Sequence, residues 1–101
     1  PLKSTIAHEE AVIETLPIFI KHLHRAVQEI ESQLQFQQWD VMQRTAHNLK
    51  GSSASYGFPI LVDAVKELEA EAKYLRDPIN IRKILQDISD LTIRVELGLG
   101  G

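Results

Sequence analysis

The sequence predicts an all-α protein, an antiparallel up-and-down four-helix bundle with a short additional helix at the N terminus. Three observations favour this class. Apolar residues recur every three or four positions in four segments of similar length, β-branched residues form no alternating runs, and proline or glycine separates most segments. Four one-sided helices with short connections bury their apolar faces together as a bundle.

The predicted helices cover residues 4–15, 17–35, 38–55, 59–76 and 78–97. The first has the weakest pattern, and Pro17 suits the first turn of the second helix, where a missing N–H is harmless. The apolar seams of the other four are Ile20, Leu23, Val27, Ile30 and Leu34; Trp39, Met42, Ala46 and Leu49; Leu61, Ala64, Leu68, Ala72 and Leu75; and Ile81, Ile84, Ile88, Leu91 and Val95. Gly57 is predicted to end the third helix, and Asp77 with Pro78 to start the last.

Length and composition limit the function classes. The 101 residues suit one domain, and a net charge of -3 gives no electrostatic reason to expect nucleic acid or an anionic membrane as partner. The absence of cysteine excludes disulfides and thiolate chemistry. No apolar run approaches the ~18 residues of a membrane span, and no signal peptide is recognisable. Because the chain begins with Pro1 and lacks an initiator methionine, we expect either an excised fragment of a longer protein or a processed chain.

The segment AHNLKGSSASYGF, residues 46–58, places a histidine, a lysine and a glycine within one helical turn. On a helical wheel, His47 points about 130° away from the apolar seam and therefore faces solvent. Gly51, four residues later, stacks beside His47 and leaves the imidazole open to a partner. An exposed neutral imidazole has one unprotonated, nucleophilic nitrogen, and the Lys50 ammonium lies within reach of it. This combination suits acceptance of a phosphoryl group.

The solvent face around the histidine is a candidate partner-binding surface. Arg44, Gly51 and Ala54 lie on it. A lone exposed histidine is most often ordinary surface, so the spacing to its neighbours carries the argument. His22 and His24 are two residues apart, face different ways on a helix, and predict no metal site.

The stretch from His47 to Ser53, with Gly57 ten residues after the histidine, resembles the signature of histidine-containing phosphotransfer (HPt) domains. The letters QQWD precede the histidine helix at the spacing usual in that family. Residues 61–73 resemble the helix that follows it in the family, and the similarity extends over residues 18–76.

This resemblance implies a helical bundle that relays a phosphoryl group between the aspartates of two receiver domains. On this reading His47 is phosphorylated, Lys50 stabilises the phosphoryl group and Gly51 gives the receiver access. The family's following helix often supplies a polar partner, so Glu69 is expected to orient the imidazole. Pairing of Glu69 with Lys73 is the alternative.

The resemblance also implies partners and a setting. We expect no cofactor in this domain, with Mg²⁺ on the partner receiver domain, and no autonomous kinase or ATP-binding activity. The expected partners are response-regulator receiver domains and the remainder of a hybrid sensor kinase, with no nucleic acid and no membrane contact. We expect a cytoplasmic monomer, tethered to the inner membrane if it is part of a sensor kinase. The alternative function is a helical docking module that is never phosphorylated.

Overall fold

The computed structural model describes residues 10–100, and the side chains of residues 15–97. This part contains four helices and no strand: α1 (Glu10–Gln35), α2 (Trp39–Ser55), α3 (Pro59–Lys73) and α4 (Pro78–Gly100). Connections of three or four residues join them. Each helix packs against two others: α1 contacts α2 and α4, and α3 contacts the same two helices. The result is an elongated up-and-down bundle of 39 × 19 × 18 Å. The prediction of an all-α helical bundle is confirmed.

Helix α1 differs from the prediction of a separate short helix over residues 4–15. It runs without a break through Pro17, while residues 4–9 lie outside the described part of the chain. A proline inside a helix removes one hydrogen bond and crowds the preceding turn, at a cost of about 3 kcal/mol. Leu16 and Phe19, on either side of Pro17, are both buried, whereas Pro17 is exposed. The packing of this continuous apolar face explains why α1 does not divide.

The predicted seams supply most of the core. The buried members are Ile20, Leu23, Val27, Ile30, Leu34, Met42, Ala46, Leu49, Leu61, Leu68, Ala72, Ile81, Ile84, Ile88 and Val95. Trp39, Ala64 and Leu91 are half-buried and pack against that core. Because each helix is apolar on one side, none in the described part of the chain has the length and hydropathy needed to cross a bilayer.

The turn between α2 and α3 holds these two helices in a fixed register. Gly57 has a φ of 76°, a left-handed conformation that a residue without Cβ adopts readily. Its N–H donates to the Ala54 carbonyl at 3.0 Å, and the Phe58 N–H donates to the Ser53 carbonyl at 3.1 Å. These two bonds satisfy the last carbonyls of α2, as in a Schellman motif.

Helix α3 ends earlier than predicted. It stops at Lys73 instead of residue 76, and Arg76 has a φ of 53°, which no helix continues through. Leu75 consequently lies beyond the helix and is 77% exposed, so its assignment to the core is wrong. Its spacing matched the seam, but spacing orients a side chain only while the helix continues.

A buried carboxylate organises the connection from α3 to α4. Glu71 accepts hydrogen bonds from the Asp77 N–H at 3.2 Å and from the Asn80 side-chain amide at 2.8 Å. Asp77 in turn accepts the Ile79 N–H at 3.0 Å, and Pro78 is the first residue of α4. The predicted cap at Asp77 is therefore confirmed, and Glu71 ties it to the preceding helix.

Candidate functional site

His47 lies on the solvent side of α2, near the middle of the helix. Its side chain is 67% exposed, whereas its neighbours Ala46 and Leu49 are fully buried. Because these two core residues fix the rotation of α2, the imidazole cannot turn inward without exposing them. The core of the bundle therefore holds the histidine at the surface.

Glu69 of α3 connects the histidine to the lysine one turn further along α2. The Nδ1 atom of His47 lies 3.0 Å from Oε2 of Glu69, and Nζ of Lys50 donates to Oε1 at 2.8 Å. The alternative pair, Glu69 with Lys73, does not form. The Lys73 ammonium instead lies 5.3 Å from the centre of the Tyr74 ring.

The surroundings of Glu69 favour its ionised form. The hydrogen bond from the Lys50 ammonium lowers the pKa of the Glu69 carboxyl; partial burial opposes this, and the hydrogen bond from His47 adds to the lowering. An ionised carboxylate only accepts hydrogen bonds. The bonding network therefore assigns the proton to Nδ1 of His47, which leaves the lone pair on Nε2.

Gly51 leaves the space beside the imidazole empty. A Cβ placed on Gly51 would meet no atom within 4 Å outside its own helix turn. Arg44 and Ala54 are exposed on the same side of α2. The three predicted partner-binding residues thus share an open face with His47.

The serines of the motif bond to their own helix. Ser52 and Ser55 donate to the carbonyls of Asn48 and Gly51 at 3.2 and 3.0 Å. The buried Ser53 donates to its own i−4 carbonyl at 2.8 Å. The hydroxyl groups of these three serines therefore donate to the backbone of α2 and not to His47 or Lys50.

One residue near the site was not singled out from the sequence. Lys66 of α3 is exposed and precedes Glu69 by three residues, so both side chains emerge on the same side of the helix. The spacing from Glu69 was visible in the sequence. The position of Lys66 relative to His47 was not, because that depends on the packing of α3 against α2.

A second histidine–carboxylate pair lies elsewhere on the bundle. Nε2 of His24 on α1 is 2.5 Å from Oε1 of Glu96 on α4. No lysine or arginine within residues 15–97 shares this carboxylate, in contrast to Glu69. Among residues with described side chains, no group of three or more His, Cys, Asp or Glu has the arrangement of a metal site.

Residues 14–95 match the family model of the Hpt domain. The match includes all of α2 and α3, and hence His47, Lys50 and Glu69. No curated protein and no solved structure matches the chain.

Proposed function

This chain belongs to the Hpt domain family of phosphotransfer signalling proteins, and we propose that His47 is its phosphoryl acceptor and donor. The substrate is the aspartyl phosphate of a receiver domain, and the product is a phosphohistidine that a second receiver aspartate discharges. Domains of this family interact with receiver domains in phosphorelays, which supports that choice of partner.

The observation that carries the proposal is the shared carboxylate. Glu69 accepts the Nδ1–H of His47, so the lone pair of Nε2 is available on the exposed edge of the ring. A histidine held in this tautomer by a carboxylate is prepared for nucleophilic attack, as in other acid–histidine pairs.

The transfer is an in-line displacement at phosphorus. The Nε2 lone pair forms the N–P bond while the bond from phosphorus to the aspartate oxygen breaks, and the aspartate leaves as a carboxylate. The imidazole gains positive charge as the bond forms, and the Glu69 carboxylate stabilises it through Nδ1. In the reverse step, a receiver carboxylate attacks phosphorus and the electron pair returns to Nε2.

Lys50 and Gly51 have separate roles. The Lys50 ammonium is 2.8 Å from Glu69 and lies one helical turn from His47. It stabilises negative charge on the phosphoryl oxygens during the transfer. Gly51 gives the receiver room to bring its aspartate to the ring, since a side chain there would occupy the approach.

The remaining components belong to the partner. The receiver supplies the aspartate and Mg²⁺, so this domain needs no cofactor and no ATP site of its own. We place the domain in the cytoplasm as a monomer that acts beside, or within, a hybrid sensor kinase.

Phosphorylation by a panel of receiver domains tests the proposal. Each receiver is charged with acetyl phosphate and mixed with this domain, and intact mass is recorded with time. We expect the mass of one phosphoryl group to be gained, in an acid-labile form, and lost on addition of a second receiver. A pure docking module would bind receivers without gaining mass. That result, with a known Hpt domain labelled by the same receivers, would contradict the proposal.

A further inference from the structure

Two cations lie on either side of the histidine–carboxylate pair along the bundle. Arg44 precedes His47 by three residues on α2, and Lys66 precedes Glu69 by three residues on α3. Each is therefore displaced by about 4.5 Å along its own helix. Because α2 and α3 run in opposite directions, the two displacements point to opposite ends of the site.

Neither cation pairs with any side chain of residues 15–97. Within the part of the chain with described side chains, Arg44 and Lys66 form no salt bridge, and no hydrogen bond involves their charged groups. The other cations near α2 and α3 are occupied. Lys50 bonds to Glu69, the Lys73 ammonium lies over Tyr74, and Arg76 donates to a backbone carbonyl and lies 5.7 Å from the Trp39 ring centre.

Seen from a distance, the centre of the site has little net charge. The Lys50 ammonium and the Glu69 carboxylate offset each other at 2.8 Å, so Lys50 acts on phosphoryl oxygens only once they have reached the site. A phosphoryl group attached to a protein carries a charge of about −1.5 to −2 at pH 7. Long-range attraction of such a group must therefore come from cations around the centre that are not bonded to a carboxylate.

The groove between α3 and α4 has the other sign. It is lined by Asp63, Glu67, Asp87 and Asp90, with Arg94 as the single cation. Carboxylates also lie beside the two cations, since Asp40 precedes Arg44 by four residues and Asp63 precedes Lys66 by three. An acidic partner is repelled by these carboxylates, so its attraction to the site depends on Arg44 and Lys66 themselves.

We propose that Arg44 and Lys66 form a cationic rim that attracts and seats the phosphoryl-bearing, carboxylate-lined face of a receiver domain over His47. This inference rests on the proposed function and assigns part of its partner surface. Carboxylates and phosphate oxygens are the ligands of Mg²⁺ in phosphoryl-transfer sites, so the partner's reactive face is rich in anionic oxygen. The rim is complementary to that chemistry.

A rim of exposed charges acts on encounter more than on the chemical step. Complementary charges raise the association rate, and salt screens them over a Debye length of about 10 Å at 0.1 M. Loss of either cation should lower the second-order rate constant of transfer and its salt dependence. The transfer rate at saturating receiver should stay the same, because neither residue touches the reacting atoms.

The test uses transfer from a charged receiver at subsaturating concentration, in low and in high salt. Arg44→Gln and Lys66→Gln should each slow transfer several-fold in low salt, together by about 10-fold or more, and Lys66→Glu should slow it further. Lys66→Arg keeps the charge and should retain the wild-type rate. Lys83→Gln makes the same charge change at an exposed position of α4 and serves as the matched control.

The outcomes separate this inference from the function on which it rests. If the double variant transfers at the wild-type rate with unchanged salt dependence, while His47→Gln is inactive, the rim is wrong and the phosphotransfer function stands. If Lys83→Gln slows transfer as much as Lys66→Gln, net charge is responsible and the rim is again wrong. If the wild-type protein is never phosphorylated, the function and the rim fail together.

Discussion

The Nδ1 atom of His47 lies 3.0 Å from Oε2 of Glu69, so two neighbouring helices share the positioning of one exposed imidazole. The core fixes the rotation of α2, and the carboxylate from α3 fixes the tautomer of the ring. Because separate residues set these two features, we expect single substitutions to have separate effects on stability and on phosphoryl transfer.

His47→Gln should abolish phosphorylation and leave the fold intact. The side chain is 67% exposed, and surface substitutions usually change the free energy of unfolding by less than ~0.5 kcal/mol. Intact mass after incubation with a charged receiver and a thermal melt check the two parts. Acid-labile phosphate on the variant would mean that another residue is the acceptor, and a large fall in Tm would mean that His47 supports the core.

Lys50→Ala should slow transfer by up to roughly 100-fold without preventing receiver binding, since the ammonium acts on charge in the transition state. Rates at saturating receiver and binding affinity are measured separately. A collapse of affinity with an unchanged saturated rate would instead make Lys50 a docking residue. Lys83→Ala on α4 removes an equivalent exposed charge away from the site and controls for net charge.

Glu69→Gln should lower stability in a pH-dependent manner. The pKa of this carboxyl is lowered in the folded state from its ordinary value of 4.5, so its stabilisation is fully present above that pH. It is lost as pH falls through the ordinary value and then through the lowered one. Denaturant unfolding from pH 7 to pH 3 should therefore show the difference between wild type and variant shrinking towards acid pH. Glu67→Gln, an exposed position on α3, is the matched control, and an equal pH dependence there would contradict the assignment.

The same variant should also slow transfer. Its amide oxygen can still accept the Nδ1–H of His47, but the negative charge that stabilises the developing imidazolium is gone. Transfer rates at saturating receiver measure this loss. A wild-type rate would show that Glu69 orients the ring without any electrostatic contribution.

Gly51→Ala should raise the free energy of unfolding by roughly 0.4–1 kcal/mol, because glycine is unfavourable inside an exposed helix. The added Cβ meets nothing within 4 Å, so no clash offsets this gain. Gly51→Gln should fold as well. Both variants should transfer more slowly, glutamine more than alanine, since both place atoms beside the imidazole. Chemical denaturation measures the change in stability, and a time course of transfer from a charged receiver measures the change in rate. A wild-type rate for Gly51→Gln would exclude access as the role of the glycine.

Glu71→Ala should destabilise the fold by about 1–3 kcal/mol and leave transfer unchanged. It leaves the Asp77 N–H and the Asn80 amide without their buried acceptor, at the end of the bundle where α3 joins α4. Chemical denaturation and the transfer assay measure the two effects. A neutral change in stability would mean that water replaces the carboxylate at no cost.

The surface position of the site follows from helical periodicity, whereas its connections across helices do not. The spacing of Ala46 and Leu49 was enough to place His47 towards solvent, because both belong to one buried seam. Glu69 and Lys73 are neighbours by spacing alone, so only the packing of α3 on α2 decides that Glu69 bonds to Lys50 and His47.

The two wrong predictions about the fold, a helix start at Pro17 and a core position for Leu75, have a similar cause. Pro17 is a strong local signal for a helix start, and Leu75 fits the periodicity of α3. In each case the outcome depends on the surroundings: the buried faces of Leu16 and Phe19 keep α1 continuous, and the left-handed Arg76 follows the early end of α3.

The turn at Gly57 sets the distance between His47 and Glu69, the two halves of the proposed site. His47 and Glu69 belong to helices joined by three residues. The backbone N–H groups of all three residues donate to carbonyls at the end of α2, which fixes the path of the connection. An extra residue here would shift α3 along α2 and separate the carboxylate from the imidazole, although four amphipathic helices would remain. An extra residue between α3 and α4 would leave the distance between the Glu69 carboxylate and the His47 imidazole unchanged. The helical bundle should therefore tolerate length changes in its connections better than the His47–Glu69 pair does, because that pair depends on the length of this one turn.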